Sequence, residues 1–329
     1  MKRLQVVDEL KALAVVLVIL FHAIPGPINY TQGQLGVDIF LVVSGFTLAI
    51  GSTELTRWEF IKRRLTRIYP PYWIAFGFFL AFYYFTQHMY WYPWPLFFTF
   101  FGLQAFIPAY DNGNVNGSWW FMSLIKLCYA TFFGVKNKTK DISLMILVCA
   151  LIITAFITFY ALIGASASAG GSMAFFLPSF FIGIFAGRLY EDRELNIELN
   201  WKLVTGLVIF AVIAMLGLGN NILGVRQMGG IGYIALWLGF RSLFQGTGVG
   251  SRVLREVASI GVISYELYLF HFPFVTDFPV WIYKMLEINP TALDRIYWEG
   301  VGLCVTFLIS LGVHALSGRI FKRTKYLPV

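Results

Sequence analysis

A chain of 329 residues that is 58% hydrophobic, 18% aromatic and 13% charged, with a mean hydropathy of +0.71, is too apolar to fold as a water-soluble domain. Its apolar runs reach the ~20 residues that cross a bilayer, which places it among polytopic membrane proteins with lipid as a partner. The formal net charge of +8 does not point to nucleic acid, because Lys and Arg fall in short segments between apolar runs, as a positive-inside topology requires.

Cys128, Cys149 and Cys304 lie inside apolar segments without CxxC spacing, so neither a disulfide framework nor a zinc site is indicated, and no metal is expected. The first span covers residues 8–24. Lys2 and Arg3 ahead of it resemble a signal peptide, but Asp8 and Glu9 interrupt the pattern and Ile24-Pro25-Gly26-Pro27 offers no small-residue cleavage site. The span is read as uncleaved, ended by the Pro-Gly-Pro turn. Span two is 35–50. A basic loop with Arg57, Lys62, Arg63, Arg64 and Arg67 follows, and Pro70-Pro71 is expected to start span three, ending near Thr86.

Residues 94–107 are apolar but short for a crossing. The basic residues of 57–67 and Lys136, Lys138 and Lys140 should both be cytoplasmic, and that holds only if 94–107 does not cross, so it is read as re-entrant or interfacial. Spans four to ten are expected at 118–135, 142–163, 173–190, 203–218, 229–244, 258–275 and 297–317, with an outer loop at 164–172. The expectation is one all-α membrane domain over residues 1–329, a bundle of about ten transmembrane helices with both termini cytoplasmic and no internal repeat.

Several side chains inside this apolar frame carry chemistry. Lys11 and His22 fall within about 20° of each other on a helix and roughly 16 Å apart along its axis, with no polar side chain from Ala12 to Phe21. An imidazole there could act as a base near neutral pH, or serve as a neutral hydrogen-bonder between helices. Lys11 could attract a phosphate, steady Asp8 one turn away, or snorkel to the headgroups. Arg64 and Arg67, three apart, make a basic edge suited to phosphate groups or to anionic lipid. Asp38 and Ser44, six apart on span two, are read as close to one face. Asp38 is placed near the outer end, orienting His22 or an incoming hydroxyl, or simply as a solvated carboxylate at a helix start.

Lys126, inside span four, needs a partner or a water-filled cavity. Ser264, Tyr268 and His271 recur at helical spacing. His271 reads first as a hydrogen-bonder between helices and second as part of a reaction cavity. Glu266 points elsewhere and needs its own partner, while His88 and His314 have no matching context.

Four patterns occur in order: VDELKALAVVLVILFHA from Val7, GQLGVDIFLVVSGFTLA from Gly33, FIKRRLTRIYPPYW from Phe60 and ISYELYLFHFPF from Ile263. Together they resemble the acyltransferase-3 family of integral membrane O-acyltransferases. The resemblance implies transfer of an acyl group, usually acetyl from cytoplasmic acetyl-CoA or another acyl-CoA, to a hydroxyl of a cell-envelope polysaccharide, glycolipid or lipid-linked sugar. It makes His22 the essential histidine, puts Lys11 where the family usually has arginine, and makes Arg64 and Arg67 the RxxR pair. In span four, Ile125 and Lys126 stand where the family often has a carboxylate. Two other readings stay open: a transporter or flippase of a lipid-linked sugar, with His22, Asp38, Lys126 and Glu266 lining a polar path, and a non-catalytic relative that scaffolds envelope enzymes. The internal symmetry and paired broken helices usual for transporters are not seen in the sequence.

Overall fold

A computed structural model describes residues 4–24, 27–51, 55–87, 92–106, 115–135, 142–162, 173–191 and 225–320. Among them there is no strand. The helices are α1 (Gln5–Ala23), α2 (Pro27–Gly51), α3 (Arg57–Gln87), α4 (Pro93–Phe100), α5 (Trp120–Val135), α6 (Ile142–Leu162), α7 (Leu177–Glu191), α8 (Val225–Phe244), α9 (Gly248–Val262), α10 (Ser264–Phe272), α11 (Phe278–Met285) and α12 (Ala292–Ile320). A π-helical turn, Pro273–Asp277, joins α10 to α11. The expected span seven, Lys136 to Lys140 and the outer loop at 164–172 lie outside the described residues.

Among the described residues, two helical stretches are each long and apolar enough to cross a membrane, Gly33–Gly51 and Leu293–Arg319, and the bent pair Gly248–Val262 with Ser264–Met285 would make a third. That pair corrects the straight span expected at 258–275. The chain bends by 60° between its halves. At the break, Ile263 leaves helical geometry and its N–H bonds Ile260, three residues back.

Two other expectations shift for reasons written in the sequence. α2 starts at Pro27 rather than near residue 35, since proline at a first helical position gives up only a donor that is orphaned anyway. Asp38 therefore sits about 16 Å into the helix, not at its start. α3 runs for 31 residues straight through Pro70 and Pro71, which do not begin it. Its start signal is a capping box: the Glu59 N–H donates to Thr56 Oγ1 at 3.3 Å and the Thr56 N–H to Glu59 Oε2 at 2.9 Å. The Thr56 bonds hold the exposed Glu59 carboxyl below its usual range. The bonds lost to the prolines belong to the carbonyls of Thr66 and Arg67, both on exposed residues.

α1 packs between α2 and α9, and α2 lies closely along α7. At Gly45 and Gly183 the α2 and α7 backbones approach so nearly that an added Cβ would overlap the carbonyl of Phe180 or of Val42. α10 is the inner helix of the second half, packed against α1, α3 and α12. This brings the C-terminal end of α1 to the end of α10.

α4 has eight residues and is about 12 Å long, well short of a hydrocarbon core. Its last carbonyls would be bare in lipid, and α3 and α5 supply the donors. Tyr69 donates to Phe101 O (3.0 Å), Tyr72 to Thr99 O, Trp73 Nε1 to Phe100 O (3.1 Å) and Ser123 to Gly102 O (3.1 Å). Gly102 turns the chain with a positive φ of 62°.

Candidate active site

His22 and His271 meet where α1 and α10 end. His22 Nδ1 lies 2.9 Å from the Val18 carbonyl and 3.1 Å from His271 Nε2, while His271 Nδ1 lies 2.7 Å from the Tyr268 carbonyl. A carbonyl oxygen only accepts, so both Nδ1 atoms carry the hydrogen when the rings are neutral. His271 Nε2 is then a lone pair that accepts from the His22 Nδ1–H. The same logic leaves the lone pair of His22 on Nε2, the one ring nitrogen of the pair not spoken for by this chain of bonds. The His22 ring is flanked by Phe21 and Phe272, with centroids 4.4 and 5.0 Å away in edge contacts. His271 is fully buried and His22 only partly so. The arrangement can take a proton at His22 Nε2 and share the resulting charge with His271.

The other residues singled out in the sequence are distributed around this pair. Lys11 keeps its place on the His22 stripe of α1, with Nζ 3.5 Å from the carboxylate of buried Asp8. Beside them, buried Glu9 accepts from Arg241 Nε (3.0 Å), Trp237 Nε1 (3.0 Å) and Gln5 Nε2 (3.0 Å). Nothing in the sequence pattern links Arg241 to α1. An open cleft of about 310 Å³ between α1 and α9 is lined by Gln5, Asp8, Arg255, Ala258, Ser259 and Val262.

Asp38 is fully buried and accepts from Ser179 on α7, with the α8 backbone at Gly230 against it. It is not the solvated carboxylate considered above. Asp38 and Ser44 do not share a face, because six residues at 100° leave them about 120° apart. Ser44 is half-buried beside Gly45, and its carbonyl accepts from Thr47 (3.1 Å).

Arg64 and Arg67 part company in the same way. The Arg64 guanidinium lies over the rings of Phe60 (5.6 Å) and Tyr129 (5.4 Å), whereas Arg67 is exposed. Lys126 finds its partners in carbonyls: Nζ donates to Phe101 O and to Gly102 O (2.9 Å), beneath the faces of Tyr69 (5.0 Å) and Tyr72 (5.6 Å). Glu266 pairs with His314 Nδ1 at 2.9 Å, which gives both residues a structural place. His88 lies outside the described residues. The four groups of the transport reading are thus engaged on separate helix pairs rather than gathered along one path.

Two residues unmarked by the sequence reading, Asn116 and Trp119, hold the backbone just ahead of His271 through the Leu269 carbonyl. The signal was present in Pro273, which removes the helical donor to that carbonyl.

The described residues are helical and apolar, and they bring a half-buried histidine against a fully buried one. The family model described as "Acyltransferase domain" (Acyl_transf_3) matches residues 5–315, and the chain belongs to this acyltransferase-3 family. A stretch of 55 residues is 44% identical to the exopolysaccharide production protein ExoZ of Rhizobium meliloti (strain 1021), covering 16% of this chain and 17% of that protein. No solved structure matches.

Proposed function

We propose that the protein is a multi-pass cell-membrane O-acyltransferase, built of about ten spans with both termini cytoplasmic. It moves an acyl group, acetyl in the first instance, from cytoplasmic acyl-CoA to a hydroxyl of an envelope polysaccharide or lipid-linked sugar. The observation that carries the reading is the His22 ring, pinned through Nδ1 by Val18 and His271 and left with its basic nitrogen at Nε2. The acceptor hydroxyl gives its proton to His22 Nε2 as its oxygen attacks the thioester carbonyl. The C–O bond forms and the C–S bond breaks. The imidazolium then returns the proton to the CoA thiolate, with His271 Nε2 accepting the Nδ1–H throughout.

The donor's phosphates are assigned to the cytoplasmic side of α3, where Arg67 is exposed. Lys11 stands between that side and His22, on the stripe the pantetheine arm would follow. The likeness to an exopolysaccharide production protein supports a polysaccharide acceptor. Acetyl-CoA labelled in the acetyl group, supplied to inside-out vesicles carrying the protein, tests the reading. Label should enter envelope polysaccharide or glycolipid only when the protein is present. Movement of an unlabelled lipid-linked sugar without acetylation would contradict it.

A further inference from the structure

The end of α10 is built around a proline. Pro273 has no N–H, so the Leu269 carbonyl, four residues earlier, cannot receive its ordinary helical bond. Two side chains fill the place. Asn116 Nδ2 donates to Leu269 O at 3.2 Å and Trp119 Nε1 donates to the same oxygen at 3.1 Å. Both come from the turn ahead of α5, and both are buried, Trp119 completely.

The asparagine is itself held in one orientation. Its Oδ1 accepts from the Ser118 N–H (3.0 Å) and the Ser118 hydroxyl (2.8 Å), which turns the NH2 group toward Leu269. A third tie runs the other way, from the Tyr268 hydroxyl to the Ser118 carbonyl. Three bonds therefore join one short turn to residues 268 and 269. The next carbonyl back, at Tyr268, is the one that receives the His271 Nδ1–H. A rotation of α10 about this anchor would carry His271 Nε2 away from His22.

We propose that Asn116 and Trp119 are positioning residues: they occupy the carbonyl that Pro273 frees, and thereby hold His271 Nε2 against the His22 Nδ1–H. Only the effect on transfer rests on the reaction assigned above to the histidine pair; the effect on the rings stands apart from it.

The test uses the full-length protein in lipid bilayers with 15N-labelled histidine, read by solid-state NMR, with the His22 signals assigned by their loss in His22→Gln. Trp119→Phe removes the indole N–H and keeps the aromatic bulk. Asn116→Thr keeps a cap for the turn and withdraws the amide donor. Wild type should show His22 in one form, Nδ1 protonated and Nε2 bare. The double variant should show the His22 Nδ1 signal shifted, as the bond to His271 is lost and that to Val18 remains, with kcat for transfer lowered about 10- to 100-fold and KM for acyl-CoA unchanged. Adding Pro273→Ala supplies a backbone N–H for Leu269 and should restore the wild-type signal and part of the rate.

An unchanged His22 signal in the double variant overturns the proposal, as does failure of Pro273→Ala to restore it in folded protein. If the double variant does not fold, Trp119→Phe alone carries the test, and an unaltered His22 signal there has the same consequence. Loss and rescue of the His22 signal with transfer unaffected would uphold the positioning and refute the reaction assigned to the pair.

Discussion

The Lys126 ammonium lies 2.9 Å from the carbonyl of Gly102, and with its second bond to Phe101 it closes the end of the half-length helix α4. A cation suits a helix C-terminus, where the last carbonyls carry partial negative charge. The residue that departs from the usual acidic pattern of the family thus has an architectural task. Lys126→Met should destabilise the protein by about 1.5–3 kcal/mol, the size of a hydrogen bond to a charged group. Lys126→Glu should do worse, setting a carboxylate against two carbonyls. Gly102→Ala should cost about 1–2 kcal/mol for its left-handed backbone alone, since the new Cβ would also meet Lys126 Nζ. Thermal unfolding in detergent measures all three, and a more stable Lys126→Glu protein would count against this assignment.

Glu9 and Arg241 tie α1 to α8 through a pair in which the carboxylate is wholly buried. Removing one partner strands the other, at a cost of about 3–5 kcal/mol for Arg241→Met. Glu9→Gln should cost less, because an amide oxygen still accepts from Trp237. The double variant should unfold at a higher temperature than Arg241→Met alone, since no uncompensated carboxylate remains. Simple additivity of the two single losses would show that the pair is not coupled.

Arg64 and Arg67 should separate in their kinetics. Arg67 is exposed, whereas Arg64 lies over two aromatic rings, so Arg67→Ala should raise KM for acyl-CoA about tenfold with little change in kcat. Arg64→Lys should lower stability by about 0.5–2 kcal/mol, because an ammonium cannot lie flat on Tyr129 and Phe60 as a guanidinium does. Steady-state kinetics with unfolding curves distinguish the two. Equal KM effects with no loss of stability in Arg64→Lys would contradict the division.

His271 should act through His22. His271→Gln retains an oxygen able to accept the His22 Nδ1–H, whereas His271→Leu does not. The leucine variant should lose about 10- to 100-fold in kcat and the glutamine variant distinctly less, with KM for both substrates preserved. Equal losses in the two variants would show that acceptance of that hydrogen is unimportant.

Helices were legible wherever an apolar run was bounded by charge or by Pro and Gly. α1, α6 and α8 start and stop within a few residues of their expected limits. Their precise beginnings depended on quieter signals: the capping box at Thr56 and Glu59 outranked the two prolines as the start of α3. Another pair, Thr291 with Asp294, starts α12 five residues ahead of Tyr297. The stripe of Lys11 and His22 followed from helical periodicity alone. What the sequence could not supply was which distant group answers each local need. Pro273 announces an orphaned carbonyl, and Lys126 a cation that must be matched. Only packing reveals that Asn116 and Trp119 answer the first and that Gly102 and Phe101 answer the second. Asp38 is the converse case: its type invited a role beside His22, and the earlier start of α2 sinks it into contact with α7 and α8.

The most direct test is the rate of acyl transfer from labelled acetyl-CoA by His22→Ala in membrane vesicles, compared with wild type at matched expression. Loss of transfer to background, with the protein still folded and inserted, is the expected result. Transfer at the wild-type rate would contradict the assignment of His22 as the base.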